Sequence, residues 1–542
     1  MYSQRKKGEM RYMQIGIDFG TCYSSVAIMN GLMPVTTCVK DTTGLGVPSL
    51  FMYSVESNKE LYGEQCKTGE SFRHSEDIVR YMKRTVRENP GNLEARIMSG
   101  GQEYLLKEII EKFIAYLISE AKKGATEFGE FSNTEIEEIT ITAPVGISEG
   151  QMLASDYNQL LMDVVEGITG LTPDHIHILM EPVAAAISYL YGQDIRHHYD
   201  KDQTVLVFDL GGGTLDVTIM EHDIKSMQYK ILAKEGDLCL GGNDWDSALG
   251  KAVLEKIGMT EISSAEERAQ FEEAVSKLKV ELTQNEESVI FFTVDGEDKY
   301  TKFSRQEFEA VTQDLADKTV DVVNKALGFF EPGLSGIDKI VLVGGSCNMP
   351  QIRNRLVSEF PDFDENNILL FEPSKAIAKG AAIFAKLSSN HGGNDAGPRV
   401  LDMAGHTYGF ESNYEGRYPR IYNMIFKGTH FDEEDVIRAK AETSFIPHSN
   451  DQTKVCFTVY ESDSRKGDGE DANWADFGNG ESPNGLEVTV QVPPEYLGKA
   501  RSFRMWPELA FDANGILEIT VRDRAGNKLA FNTSAAEAKG DA

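Results

Sequence analysis

Two stretches of this chain are built to one plan. "IGIDFGTCYSSVAIM" (15–29) and "VLVFDLGGGTLDVTIM" (205–220) each run an apolar strand into an aspartate, a glycine turn and a second apolar strand. Glycine weakens a strand, because it has no side chain to pack and loses the most backbone freedom on ordering. Its placement here therefore needs a cause. Asp18 and Asp209 are 191 positions apart, and so are Glu181 and Glu372, which open "EPVAAAISYLYG" and "EPSKAIAKGAAIFA". Two echoes at one offset point to a duplicated unit. In both Glu-Pro segments the proline is expected in the first helical turn, where its missing N–H costs nothing.

A turn without side chains lets backbone N–H groups approach a phosphate closely. The flanking carboxylates cannot bind phosphate, but they can hold Mg²⁺ through oxygen and water ligands. Two such hairpins facing each other would clamp a nucleotide tail from both sides. A third motif, "IVLVGGSCNMPQIRNRL" (340–356), runs strand, Gly344-Gly345, helix, which suits close approach of a base or sugar. One glycine hairpin alone reads as a tight turn, and one aspartate beside glycine as a turn cap. Three glycine motifs, two of them marked by aspartate and related by the repeat, favour phosphate. No GxxxxGK[ST] is present, and GxGxxG is absent from the strand–helix junctions.

From residue 14 to about 387, short β-branched strands alternate with helical patterns such as 103–123 and 266–284, which is α/β behaviour. "SSNHGGNDAGP" (388–398) loses that periodicity and marks a linker. After it come short alternating strands with no long helix, and "DANG" (512–515) stands where a hairpin turn belongs. A polar, glycine-rich stretch at 464–485 reads as an insertion loop. The expected domains are 14–387, a linker at 388–402, and 403–535.

The formal charge of −32 makes nucleic acid and anionic membranes poor partners. Six scattered cysteines without a CxxC pair argue for a reducing, cytoplasmic setting and against zinc. No segment has the apolar length of a signal peptide or a membrane span.

These motifs, in this order from about Gln14 to Thr533, resemble the 70-kDa heat-shock protein chaperone family. "IGIDFGTCYSS", "VFDLGGGTLDVTI" and "LVGGSCNMP" are similar to its two phosphate segments and its adenosine segment, and "LGGNDWDSAL" (240–249) to a further signature. The resemblance implies an α/β actin-like ATPase domain of two duplicated lobes, followed by an all-β sandwich that binds extended polypeptide. It implies slow hydrolysis of ATP to ADP with Mg²⁺, and K⁺ nearby. Asp18, Asp209 and Asp216 would surround the metal and its waters. Gly20, Thr21, Cys22, Tyr23 and Gly211, Gly212, Gly213 and Thr214 would hold the phosphates. Lys83, in "VRYMKRTVREN", would reach the γ-phosphate and the attacking water, Glu181 would help order the metal-bound water, and Thr214 would lie beside the γ-phosphate; with Asp209 these make the expected catalytic set. Gly241, Gly242, Lys279, Thr283, Gly344, Gly345, Ser346 and Asn348 would line the rest of the nucleotide site.

Ser276, Asn348 and Ser374 stand where the family keeps a glutamate, an arginine stacking on adenine, and an aspartate. Their loss implies weaker nucleoside contacts, by about tenfold or more in affinity. Pro144 fits the family's relay proline, but Met152 replaces its arginine, and "VLD" (400–402) is a shortened interdomain linker. Both changes bear on coupling between the domains. The sequence ends at Ala542, so a helical lid and acidic tail are not expected in it, and peptides should exchange quickly. The expected partners are unfolded polypeptide or one dedicated client, with co-chaperones and exchange factors. The rival readings are a nucleotide-gated adaptor, an actin-fold metabolite kinase, and a filament-forming relative; the β-rich module counts against the last two.

Overall fold

In the computed structural model the described residues are 11–533, except 38–45, 68–73, 75, 89–92, 128–133, 145–153, 196–201, 226–227, 238, 362, 364, 390–398, 415–417, 433–435, 463–473, 476–481 and 513–515. Contact density divides the chain into two units. One comprises Met1–Ser148, Met162–Tyr229 and Ala233–Arg399; the other comprises Glu149–Leu161, Lys230–Leu232 and Val400–Ala542.

The first unit contains the same sheet twice. Its first half has β1 (Arg11–Asp18), β2 (Tyr23–Asn30), β3 (Met33–Thr36), β4 (Thr134–Ala143) and β5 (Ile176–Met180), in the order 5-4-1-2-3. Its second half has β6 (Gln203–Leu210), β7 (Leu215–Asp223), β8 (Gln228–Asp237), β9 (Lys339–Val343) and β10 (Ile368–Leu370), in the order 10-9-6-7-8. β1 is antiparallel to β2 and parallel to β4; β6 is antiparallel to β7 and parallel to β9. The 191-residue echo is thus a repeat of topology. Ile15, Ile17, Val205, Val207 and Phe208 are fully buried, as expected of central strands covered on both faces.

Five helices position the site: α1 (Met82–Glu88), α2 (Glu181–Ile195), α3 (Gly242–Lys256), α4 (Ala265–Gln284) and α5 (Ala376–Ser388). The helix expected at 266–284 is α4, opened by Ser264, whose side chain accepts from the Glu267 N–H. The helix expected at 103–123 spans Leu106–Glu127. α2 begins at Glu181 as expected. The second Glu-Pro segment departs from expectation, because α5 begins only at Ala376. Glu372 takes a left-handed φ of 38°, and the N–H groups of Lys375 and Ala376 bond to its carbonyl at 2.8 and 2.9 Å. Pro373 therefore lies in a turn ahead of the helix.

α2 and α5 cross in direct backbone contact. A Cβ on Gly380 would stand 1.7 Å from the Ala184 carbonyl oxygen. Gly380→Ala must force the helices apart, and we expect a loss of roughly 1–3 kcal/mol, as for overpacked cores. An unchanged thermal midpoint would show that the helices are not so close.

In the second unit two antiparallel sheets enclose one core. One sheet orders Trp474–Ala475, Tyr418–Ile425, Thr407–Tyr414, Lys454–Ser462 and Ser482–Gln491; the other orders Ile437–Lys440, Trp506–Phe511, Leu517–Arg522 and Lys528–Thr533. Burial alternates along Trp506–Phe511 and Leu517–Arg522, sending Leu509, Phe511, Leu517 and Ile519 inward against Phe410, Phe457 and Val459. Most of the linker at 388–398, most of the loop at 464–485, and positions 513–515 of "DANG" lie outside the described residues. The strands on either side of "DANG" do pair, Phe511 opposite Leu517. Among the described residues, no helix is long and apolar enough to cross a membrane.

Candidate functional site

The two glycine turns meet. A Cβ on Gly212 would lie 2.5 Å from Cys22 Sγ, and one on Gly213 would lie 2.9 Å from Thr21 Oγ1. Within the first turn, Ser49 Oγ donates to the Gly20 carbonyl at 2.7 Å and the Gly20 N–H donates to Ser24 Oγ at 3.2 Å. Tyr23 opens β2, with Lys67 Nζ 5.4 Å above its ring. In the second turn, Gly211 N–H donates to the Thr214 carbonyl at 3.0 Å, and Asp209 and Asp216 sit directly opposite each other across the hairpin.

The "LGGNDWDSAL" segment supports the second turn from behind. The N–H groups of Gly242 and Asn243 bond to the carbonyls of Gly211 and Gly212 at 3.0 and 2.7 Å. Ser346 Oγ donates to the Gly211 carbonyl at 2.8 Å. Gly241 packs against Gly213, where a Cβ would be 2.4 Å from backbone, and its N–H bonds to Asp244 at 2.8 Å. The carbonyls of Gly211 and Gly212 are thus engaged by the protein, and the Gly211 N–H is engaged within the hairpin. Gly211 and Gly345 differ from their neighbours: a Cβ on Gly211 meets only the Thr214 carbonyl at 3.7 Å, and one on Gly345 meets nothing within 4 Å. Protein packing does not require glycine at either position, whereas a closely seated ligand does.

Carboxylates gather beneath the turns. Asp209 and Asp216 are buried, as is Glu181 at the head of α2, while Asp18 at the end of β1 is half-buried. Lys83, on α1 and only 3% exposed, donates to Glu181 Oε1. Loss of surrounding water pushes Asp18 up to about 7, aided by Glu181 and opposed by Lys83. Burial likewise raises Asp209 well above the ordinary range, reinforced by Glu181, Asp216 and Asp18. Four acids around one lysine form an anionic hole that a divalent cation fits. Asp18, Asp209 and Asp216 are not among the groups whose oxygens converge within 4.8 Å, so a cation there would be held partly through waters, as Mg²⁺ prefers.

The remaining expected residues lie along one wall of the second half. Lys279 Nζ donates to the Gly242 carbonyl and to Asp246, both at 2.8 Å. Thr283 bonds back to the Lys279 carbonyl at 3.0 Å. Gly344 has a φ of 83°, and a Cβ there would meet Leu210 O at 2.3 Å. Half-buried Asn348 donates to the Gly345 carbonyl at 2.8 Å. Ser276 helps offset the burial that raises the Asp246 carboxyl, and the Ser374 carbonyl accepts from Ser25 Oγ of the first half at 2.8 Å. Pro144 is buried, and Met152 lies outside the described residues.

Asn243, which accepts the Cys22 thiol at 3.1 Å, and Asp246, the partner of Lys279, were not singled out from sequence. Both lie within "LGGNDWDSAL", which offered the signal.

The chain is 28% identical over 546 residues to "Chaperone protein dnaK" of Thalassiosira pseudonana, covering 95% of this chain and 81% of that protein. It is 30% identical over 383 residues to "Chaperone protein DnaK" of Halobacterium salinarum, covering 68% and 55%. "Chaperone protein DnaK" of Ureaplasma urealyticum is 28% identical over 381 residues, covering 68% and 57%. These relatives are chaperones. The family model described as Hsp70 protein matches residues 14–538, and the chain belongs to the Hsp70 family.

Proposed function

We propose that this protein is an ATP-driven chaperone whose first unit is an actin-like ATPase and whose second unit is a peptide-binding β-sandwich. The observation that carries the reading is the anionic hole of Asp18, Glu181, Asp209 and Asp216 around Lys83, set under two glycine turns in contact. Gly20–Tyr23 and Gly211–Thr214 hold the phosphates. Asp18, Asp209 and Asp216 would hold Mg²⁺ largely through water, and the ion would neutralise phosphate charge there, with K⁺ nearby. Lys83 reaches the γ-phosphate and the attacking water, Glu181 helps order the metal-bound water, and Thr214 stands beside the γ-phosphate. Little covalent work falls to the protein, since phosphoryl transfer to water depends mainly on positioning and charge. The clients are extended apolar polypeptides, handled in the cytoplasm with co-chaperones and exchange factors. A family match reaching residue 538 favours this over a metabolite kinase, which has no use for the second unit.

The test is the affinity of a labelled apolar peptide for the whole chain, with ADP and then with ATP. ATP is expected to weaken binding severalfold. Binding that ignores nucleotide, or no binding, would overturn the nucleotide-controlled chaperone in favour of an adaptor for one dedicated client.

A further inference from the structure

β5 delivers Glu181 to the carboxylate cluster, because α2 begins at the residue after Met180. It is the end strand of its sheet, five residues long, and it pairs in parallel with β4. The apolar pattern specifies that pairing poorly. Ile176 lies opposite Ile139, His177 opposite Thr140 and Ile178 opposite Ile141. A slip of two residues, with Ile178 opposite Ile139, again sets isoleucine against isoleucine and keeps every side chain on its own face. The hydroxyls of Thr140 and Thr142 are buried and, among the described residues, make no hydrogen bond, so they mark no register either. A parallel strand rises about 3.3 Å per residue, so such a slip carries Glu181 about 7 Å along the strand.

Glu138 breaks the degeneracy. The two oxygens of this buried β4 carboxylate accept from His175 Nδ1 and His177 Nε2, both at 2.8 Å. His175 closes the turn that precedes β5, two positions ahead of His177, so both rings reach the same face. Burial works to raise the Glu138 carboxyl, but the hydrogen bonds from His177 and His175 outweigh it and hold it below that of an ordinary glutamate. Phe384 of α5 meets the His177 ring edge-on, with centroids 5.6 Å apart, and limits its swing. After a two-residue slip the single carboxylate would no longer face both rings. The duplicated sheet has a counterpart at the same station. Ile340 lies opposite Ile368 as Ile139 lies opposite Ile176, and one residue earlier Lys339 Nζ donates to Asn367 Oδ1. There the side-chain bond between the stations is single, and β10 leads to Glu372, which pairs with Lys379 instead.

We infer that Glu138, with His175 and His177, pins the register of β5 and so sets where Glu181 meets Lys83. The inference rests on the part given to Glu181 above. None of the three touches a reacting atom, so they are positioning residues.

The test is single-turnover ATP hydrolysis, beside ATP affinity, in the full chain. Glu138→Leu is expected to slow hydrolysis by about 10- to 100-fold, the usual effect of a small misplacement of a catalytic group. ATP affinity should change by less than about threefold, since the glycine turns keep their place. Glu138→Gln, whose amide can still meet two imidazoles, should recover most of the rate. His175→Leu, at an exposed position, removes one of the two bonds and should slow hydrolysis about threefold; if Glu138→Leu folds poorly, this variant decides. Lys339→Met removes the counterpart bond and should lower Tm while leaving hydrolysis within about twofold of wild type. Glu138→Leu combined with Glu181→Gln should be no slower than Glu181→Gln alone. A normal rate in Glu138→Leu or His175→Leu, an equal loss in Lys339→Met, or additive slowing in the double variant would overturn the pin. If Glu181→Gln itself hydrolyses normally, the reading of Glu181 falls and the pin with it. A slow Glu181→Gln beside a normal Glu138→Leu removes the pin alone.

Discussion

Lys83→Met should lower single-turnover ATP hydrolysis by roughly 10²–10³-fold, the usual effect of removing one preorganised charge aimed at the transition state. Methionine keeps most of the buried stem of a side chain only 3% exposed, so packing is largely preserved. ATP binding should change far less, because the proposed phosphate contacts lie in the glycine turns and not at Lys83. The substitution leaves Glu181 buried without the lysine, and breaking a buried pair commonly costs about 3–5 kcal/mol. Here the loss should be smaller, because Asp18 already holds a proton to about pH 7 and neighbouring acids can do likewise. Thermal unfolding with and without Mg-ADP separates the effects: a variant still protected by nucleotide, yet slow to hydrolyse, places Lys83 in the chemistry. A normal rate would remove it from the site.

The second expectation concerns metal and pH. In the metal-free chain Asp18 keeps its proton to about pH 7, against 3.8 for an ordinary aspartate. Between those values the folded state binds more protons than the unfolded one, so this group makes stability fall as pH rises. The slope is at most about 1.4 kcal/mol per pH unit for one proton. Cation binding requires the carboxylates deprotonated, so protection by Mg-ADP should grow with pH over the same window. The comparison is Tm at pH 5, 6, 7 and 8, with Mg-ADP and with chelator, for wild type and Asp18→Asn. The chelated wild type should lose stability relative to Asp18→Asn from pH 5 to 7, and Mg-ADP should reverse the trend. Parallel curves would mean that Asp18 is not in the anionic hole.

Much of this site was legible in the sequence because its signal is local. An apolar strand, a run of glycines and a second strand fix a hairpin, and the hairpin alone sets Asp209 opposite Asp216. The repeat was legible for the same reason, since equal spacing survives folding. Lys83 was different. "VRYMKRTVREN" has the composition of an exposed helix, and the burial of its lysine depends on Glu181, 98 residues away. The pairing of Arg80 with Glu273, 3.6 Å apart, gave no signal either, because a contact between distant segments leaves no periodicity in either of them. The late start of α5 was hidden too, for the backbone on either side of the left-handed Glu372 is held by tertiary contact: the Phe371 N–H bonds to the Leu342 carbonyl at 3.0 Å, and the Gly344 N–H to the Pro373 carbonyl at 2.9 Å.

Glu181 and Glu372 occupy equivalent stations in the two halves, yet they have parted ways. Glu181 is buried and meets a lysine brought in from a distant segment; Glu372 is partly exposed and meets a lysine of the helix it precedes. A molecule made of two copies holds a spare of every position, so one copy can become hazardous to stability while its twin stays a fastener. The crowding of like charge around Glu181 is tolerable in one half because the other half was never asked to share it.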